Sequence, residues 1–229
     1  MRKEDIRMLL RYFYRIAKNP FSRQSRSALA RYLGEGVMYL TEKMRGLDFT
    51  MVYSSSGDNP HNSSYSKAPE RVLRRMFNDI DSREKHKFMD IGCGKGYVLS
   101  KAFVSGFGEV GGVEYSEGLV QICRKNLGKL GFDSKNVYWG DARQFDRYGD
   151  YDIFFMNNPF DETVLSEVAK KIIEEHDNKT CFIYYLNPAK EERRRAIEQA
   201  GFRLAKQLRD DREKYFWVNV YCNQNQKQK

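Results

Sequence analysis

Residues 87–96, Lys-Phe-Met-Asp-Ile-Gly-Cys-Gly-Lys-Gly, constrain this chain more than any other stretch. A short apolar run ends in an acid, three glycines follow at alternate positions, and a helical pattern runs from Tyr97 to Ser105. Glycines let a backbone turn sharply and approach a ligand with no Cβ in the way. The helix start adds free N–H groups and partial positive charge. Spacing separates the possible ligands. A dinucleotide fingerprint requires G-x-G-x-x-G, and glycines at 92, 94 and 96 are one residue too tight for it. A phosphate loop requires Ser or Thr after Gly-Lys, whereas Lys95 is followed by Gly96. The pattern left standing is Asp-x-Gly-x-Gly-x-Gly.

Three further strand-like runs follow. Glu109–Glu114 ends in an acid 20 residues beyond Gly94, where a carboxylate can accept hydrogen bonds from both hydroxyls of a ribose. Tyr115 comes next and offers an aromatic face to a base. Asn136–Trp139 leads into Gly140-Asp141-Ala142, and Tyr151–Met156 into Asn157-Asn158-Pro159-Phe160. Acids after three successive strands would share one edge of a parallel sheet, the edge where open α/β sheets bind ligands. Such acids also cap helices, and Asn and Pro favour strand–helix junctions, so each residue has a purely structural reading as well.

Taken together, these motifs resemble the class I S-adenosylmethionine-dependent methyltransferases over residues 68–222. Asp90 to Gly96 is similar to their motif I. Asn157, Pro159 and Phe160 are similar to the Asn/Asp-Pro-Pro-Tyr/Phe motif IV of enzymes that modify planar amines and amides, with Asn158 departing from proline. The doubled Asn is also similar to non-SET histone-lysine methyltransferases. The Asn-Pro-Phe sequence most resembles bacterial class I members of unassigned substrate. The resemblance implies S-adenosylmethionine as cofactor, held by Asp90, Gly92, Cys93, Gly94, Gly96, Glu114, Tyr115, Asp141, Ala142 and Asn157. It implies that Asp141 receives the adenine amine and the next backbone N–H a ring nitrogen. It places Asn157, Pro159 and Phe160 at the acceptor, with a nitrogen as the methyl acceptor and Phe160 stacked on a planar substrate. Asp161 is a candidate proton acceptor or helix N-cap.

Apolar and turn signals alternate from residue 87 onward, which supports an α/β fold with a parallel sheet. The resemblance implies a Rossmann-like, seven-stranded, mostly parallel sheet with an antiparallel final strand, here with a helical N-terminal extension. Apolar residues at helical spacing mark helices over 69–80, 116–130, 162–176 and 189–200. Strands are expected over 180–186, 202–208 and 215–222, the last two joined as a hairpin. The expected organisation is an extension over 1–68, a methyltransferase domain over 69–222 and a polar tail over 223–229.

The chain carries a net charge of +9, and residues 1–50 hold eleven basic against five acidic side chains. Lys3, Arg7, Arg11, Arg15 and Lys18 share one face of a predicted amphipathic helix. That stripe reads as a solvated face, as a contact to nucleic-acid phosphates, or as a membrane-surface helix, which the absence of Trp from the apolar face argues against. A second helix is expected over 28–40. The Ser/Asn-rich stretch 53–65 is long for a loop and reads as a lid or as a linker, with His61 a candidate base within it. No apolar run is long enough to span a membrane. Four scattered cysteines without C-x-x-C suggest reduced thiols and a cytoplasmic protein. Three histidines without ligand spacing give no expectation of a metal. Two other readings stay open: a methyltransferase of proteins or small molecules with an incidental basic face, and a non-catalytic binding subunit that retains the fold.

Overall fold

The computed structural model describes residues 37, 39–50, 66–187, 190–209 and 216–223. The basic stripe from Lys3 to Lys18, the stretch 53–65 with His61, and residues 224–229 lie outside the described residues. The chain divides into two compact units, Met1–Gly46 and Leu47–Lys229. In the first, the helix expected to stop at Leu40 continues to Met44. It closes with Arg45 N–H on Thr41 O and Gly46 N–H on Lys43 O, at 3.2 and 3.0 Å.

The second unit is built on one seven-stranded sheet in the order β3-β2-β1-β4-β5-β7-β6. The strands are β1 (Lys87–Ile91), β2 (Glu109–Glu114), β3 (Val137–Trp139), β4 (Ile153–Met156), β5 (Phe182–Leu186), β6 (Arg203–Arg209) and β7 (Trp217–Cys222). The helices are α1 (Glu70–Asn78), α2 (Tyr97–Val104), α3 (Glu117–Lys129), α4 (Glu162–Glu174) and α5 (Glu191–Gln199). β1 to β5 pair in parallel, and β7 runs antiparallel between β5 and β6. This is the expected fold class.

Strands covered on both faces read as continuous apolar runs, and alternation decides which face each side chain joins. Phe88, Ile153, Phe155, Tyr184, Val218 and Val220 pack with α1, α2 and α3 residues such as Leu73, Met76, Leu99 and Cys123. Met89, Ile91, Phe154, Met156, Ile183 and Tyr221 pack with Leu165, Val168, Ile172 and Ile197 of α4 and α5. β6 has one neighbour strand and is exposed along almost its whole length. Its charged side chains and a register shift between Leu204 and Lys206 suit an edge strand.

Two boundaries differ from expectation. Leu47, Phe49 and Ala68 are buried in the core beside α1 and α2, so packing places residues 47–50 and 66–68 with the sheet rather than with an extension. Asp48 explains part of this attachment. Its backbone N–H and C=O are both gripped by the Asn126 amide at 2.9 and 3.0 Å, and its carboxylate pairs with buried Lys95 Nζ at 2.6 Å. Asn223, assigned to the tail, instead accepts from Cys181 N–H and donates to Lys179 O. It thereby extends the β5–β7 pairing by one residue. Cys93, Cys123, Cys181 and Cys222 are all buried free thiols. Among the described residues there is no cluster suited to a metal and no helix long and apolar enough to cross a membrane.

Candidate active site

The carboxyl ends of β1, β2, β3 and β4 enclose a crevice of about 710 Å³, within the usual size of small-molecule sites. Asp90, Gly92, Cys93, Gly94, Glu114, Tyr115, Asp141, Ala142, Asn157, Pro159 and Phe160 all line it. Of the residues expected there, Gly96 alone does not. It has φ +80°, and a Cβ on it would lie 2.5 Å from Cys123 Sγ, so its role is to let α3 pack close behind the turn.

Gly92 ties the turn after β1 to the turn after β4. Its φ is +80°, and an added Cβ would stand 2.5 Å from Cβ of Pro159. The β1 turn and the β4 turn therefore touch through a bare backbone, and neither can shift alone. Gly94, also at positive φ, directs its N–H onto Glu114 Oε2 at 2.9 Å. Glu114 Oε1 accepts the Ser116 N–H at 2.9 Å. These bonds fix the carboxylate between β1 and β2, and each oxygen keeps a lone pair for a ligand hydroxyl.

Asp90 is buried, and no described group hydrogen-bonds to its carboxylate. Burial, and then the Glu114 charge, push it well above the usual carboxylate range. Burial also raises Glu114, against the backbone N–H groups of Ser116, Gly94 and Tyr115. The folded state thus holds protons at both sites more tightly than the unfolded chain does. Their contribution to stability is complete below the ordinary carboxylate pKa and is lost as pH rises through the raised values. Asp90→Asn is expected to raise stability at about pH 8 relative to the native chain and to narrow the gap between about pH 5 and pH 8, read by urea unfolding at each pH. An acid held in that state without a partner fits a ligand that brings a cation or a donor.

Asp141 is placed at the crevice but is already engaged. Arg143 Nε lies 3.1 Å from both carboxylate oxygens, Nη2 lies 2.6 Å from Oδ2, and the Arg143 N–H donates to Oδ1 at 2.9 Å. The guanidinium holds Asp141 below its usual range. Arg143 therefore shares the carboxylate that the resemblance assigns to the adenine amine. Tyr115 is exposed, and its carbonyl accepts the indole N–H of exposed Trp139 at 3.0 Å. Ala142 O accepts the hydroxyl of buried Tyr148 at 2.7 Å, which fixes the turn after β3.

The two asparagines after β4 do different work. Asn157 Nδ2 donates to Ser66 O at 2.9 Å. Only the amide nitrogen can make that bond, so Oδ1 is left as the acceptor, and no described group donates to it. Asn158 has φ +47°, a conformation closed to proline, whose ring fixes φ near −65°. Its Nδ2 bonds Leu186 O and Asn187 O at 3.1 and 3.0 Å, and its Oδ1 accepts from Arg193 of α5 at 2.9 Å. The departure from the Pro-Pro pattern is thus a pin between the ends of β4 and β5. Asn158→Ala is expected to cost ~1–3 kcal/mol, measured by chemical unfolding, because it strands partly buried partners.

Phe160 is 5% exposed and packs with Val164 and Leu165 under α4. It lines the crevice with only a small part of its surface. Asp161 caps α4, accepting from the N–H groups of Thr163 and Val164 at 3.1 Å. His86 pairs with Asp152 at the start of β1, and His176 is buried against Tyr151 O and Ile172 O, so neither lines the crevice.

Sequence reasoning missed Trp139, Arg143, Tyr97 and the wall formed by Ser66, Lys67 and Ala68. Lys67 Nζ sits 4.0 Å above the Tyr97 ring, and Tyr97 OH donates to Glu70 at 3.1 Å. The position of Trp139 at the end of β3 was the available signal. For residues 66–68 there was none, because they are far from the motifs in sequence.

A family model described as a methyltransferase domain matches residues 82–229. No curated protein matches. Among solved structures, an RNA methyltransferase from Salinibacter ruber in complex with S-adenosyl-L-homocysteine aligns with TM-score 0.54 and 16% identity, covering 72% of this chain and 97% of that one. Magnesium protoporphyrin IX methyltransferase from Synechocystis PCC 6803, with bound S-adenosylmethionine, aligns with TM-score 0.53 and 16% identity, covering 68% and 77%. A putative RNA methyltransferase from Pyrococcus horikoshii aligns with TM-score 0.51 and 24% identity, covering 69% and 82%. The chain belongs to the methyltransferase domain family, and it shares its fold with these solved methyltransferases.

Proposed function

We propose that the crevice holds S-adenosylmethionine along the ends of β1 to β3 and transfers its methyl to a nitrogen acceptor seated against Asn157. When bound, S-adenosylmethionine supplies an electrophilic methyl on a sulfonium sulfur. Asp90 supports this reading on the cofactor side: an unpartnered buried carboxylate gains a cation or an N–H donor there. Glu114 takes ribose hydroxyls on its remaining lone pairs, Tyr115 and Trp139 offer aromatic surface, and the backbone from Gly92 to Gly94 and at Ala142 carries the rest of the contact.

Asn157 carries the acceptor side. The bond to Ser66 O orients its amide, and Oδ1 accepts a hydrogen from the incoming amine, which aims the nitrogen lone pair at the methyl. Pro159, locked against Gly92, sets the distance between the two halves. Alignment of this kind is the main contribution left to a protein whose methyl donor is already reactive. Transfer would leave the acceptor nitrogen with a positive charge, and its proton would pass to water.

Binding of S-adenosylmethionine measured by calorimetry tests the cofactor side, with weakening expected in Asp90→Asn. Transfer of labelled methyl into fractionated RNA, protein and small molecules tests the acceptor. Complete absence of cofactor binding by the native chain ends the enzyme reading. A nucleic-acid acceptor is favoured over the other classes by the net charge of +9.

A further inference from the structure

A second concavity, of about 320 Å³, lies between α1 and the edge strand β6 and is lined by Arg71, Arg74, Arg75, Asn78, Asp79 and Leu208. Residues 71, 74, 75 and 78 follow the i, i+3, i+4, i+7 spacing that puts side chains on one helix face. The opposite face, Val72, Leu73, Met76 and Phe77, is buried. The basic face therefore follows from how the helix must pack.

The charge of Arg74 and Arg75 is not neutralised from within the groove. Its one acid, Asp79, is occupied by Lys206 Nζ at 2.9 Å and Tyr184 OH at 3.2 Å. Arg74 and Arg75 are exposed, and no hydrogen bond or ion pair engages either among the described residues. Arg83, just beyond the helix, shows the contrast: it is spent on the carbonyls of Phe77, Ile80 and Ser105. Position adds to charge. α1 begins two residues after Ala68, and Ser66, Lys67 and Ala68 wall the crevice beside Asn157. At ~1.5 Å per residue the arginines stand within about 8 Å of the helix start.

We infer that this groove binds the phosphodiester backbone of a single-stranded nucleic acid, one of whose bases enters the crevice. Arginine forks match phosphate oxygens in pairs. A base whose amine reaches Asn157 has to be unstacked, which favours single-stranded over duplex substrate. The first half rests on the groove alone, and the second half rests on the nitrogen-methylation reading.

The test is fluorescence anisotropy of a labelled mixed-sequence RNA of about 20 nucleotides with the full chain over a salt series, beside cofactor calorimetry on the same samples. Arg74→Glu/Arg75→Glu is expected to weaken RNA binding at least about tenfold and to flatten the slope of log K against log salt by about 1.4 for two lost phosphate contacts. Lys125→Glu/Lys129→Glu on exposed α3 should leave both nearly unchanged. If the Glu pair unfolds, Arg74→Gln/Arg75→Gln is expected to give the same direction. Three results overturn the inference: undiminished binding in the groove variants, loss of binding only in Arg7→Glu/Arg11→Glu, or polyglutamate binding as tightly as RNA at equal salt. Loss of cofactor binding with RNA binding intact would instead refute the methyltransferase reading and leave the groove standing.

Discussion

Gly92→Ala is expected to unfold the site and much of the domain's stability with it. The residue sits at φ +80°, and the new Cβ would stand 2.5 Å from a Pro159 carbon that a rigid ring and the β4 turn hold in place. Left-handed backbone costs a non-glycine residue ~1–2 kcal/mol, and forced overpacking adds ~1–3 kcal/mol. Gly106 provides the control. Its φ is +81°, but nothing lies within 4 Å of the added Cβ, so Gly106→Ala should pay the backbone cost alone. The difference between the two variants in chemical unfolding isolates the contact between the turns after β1 and β4. Cofactor affinity and methyl transfer should fall together in Gly92→Ala and stay near native in Gly106→Ala. Equal destabilisation in the two variants would mean that Pro159 yields and that the two turns are not locked.

Asn157→Ala is expected to reduce the rate of methyl transfer by roughly 100-fold or more, the scale on which misplaced reacting groups lose rate. Cofactor affinity should change little, because the contacts expected for the cofactor, Asn157 itself excepted, lie at β1, β2 and β3. The loss should fall mainly on kcat, since an alanine neither aims the amine nor holds the Ser66 carbonyl. Single-turnover transfer beside calorimetry separates the two effects. Asn157→Asp keeps an acceptor oxygen but cannot donate to Ser66 O, so partial activity in that variant would assign the larger share to Oδ1. Transfer at native rate in Asn157→Ala would remove Asn157 from the reaction.

The fold was legible because its signals are local. Apolar runs of four to six residues, each followed by a turn and a 3.6-period pattern, mark βα units without any knowledge of contacts. The glycine spacing at 92, 94 and 96 excludes two other nucleotide loops, and acids closing three successive strands point to one shared sheet edge, where the crevice lies. What the acids do there was not legible. Asp90 stays unpartnered while Asp141 is forked by Arg143, and nothing in either local sequence separates these outcomes. Asn158 is a similar case: its positive φ and its bonds to Leu186, Asn187 and Arg193 depend on chain some thirty residues further on.

Sequence alone therefore determined the order of strands and helices along the chain, the turn chemistry after β1, and those crevice residues that lie in the turns after β1 to β4. Only the tertiary structure decided which partners each polar group takes, that Phe160 is largely packed into the core beside the crevice, that residues 47–50 and 66–68 pack with the sheet, and that the arginines of α1 face an open groove. The physical reason is range. Backbone propensity and periodicity act over a few residues, whereas hydrogen-bond partners and burial are set by segments that meet only after the sheet has closed.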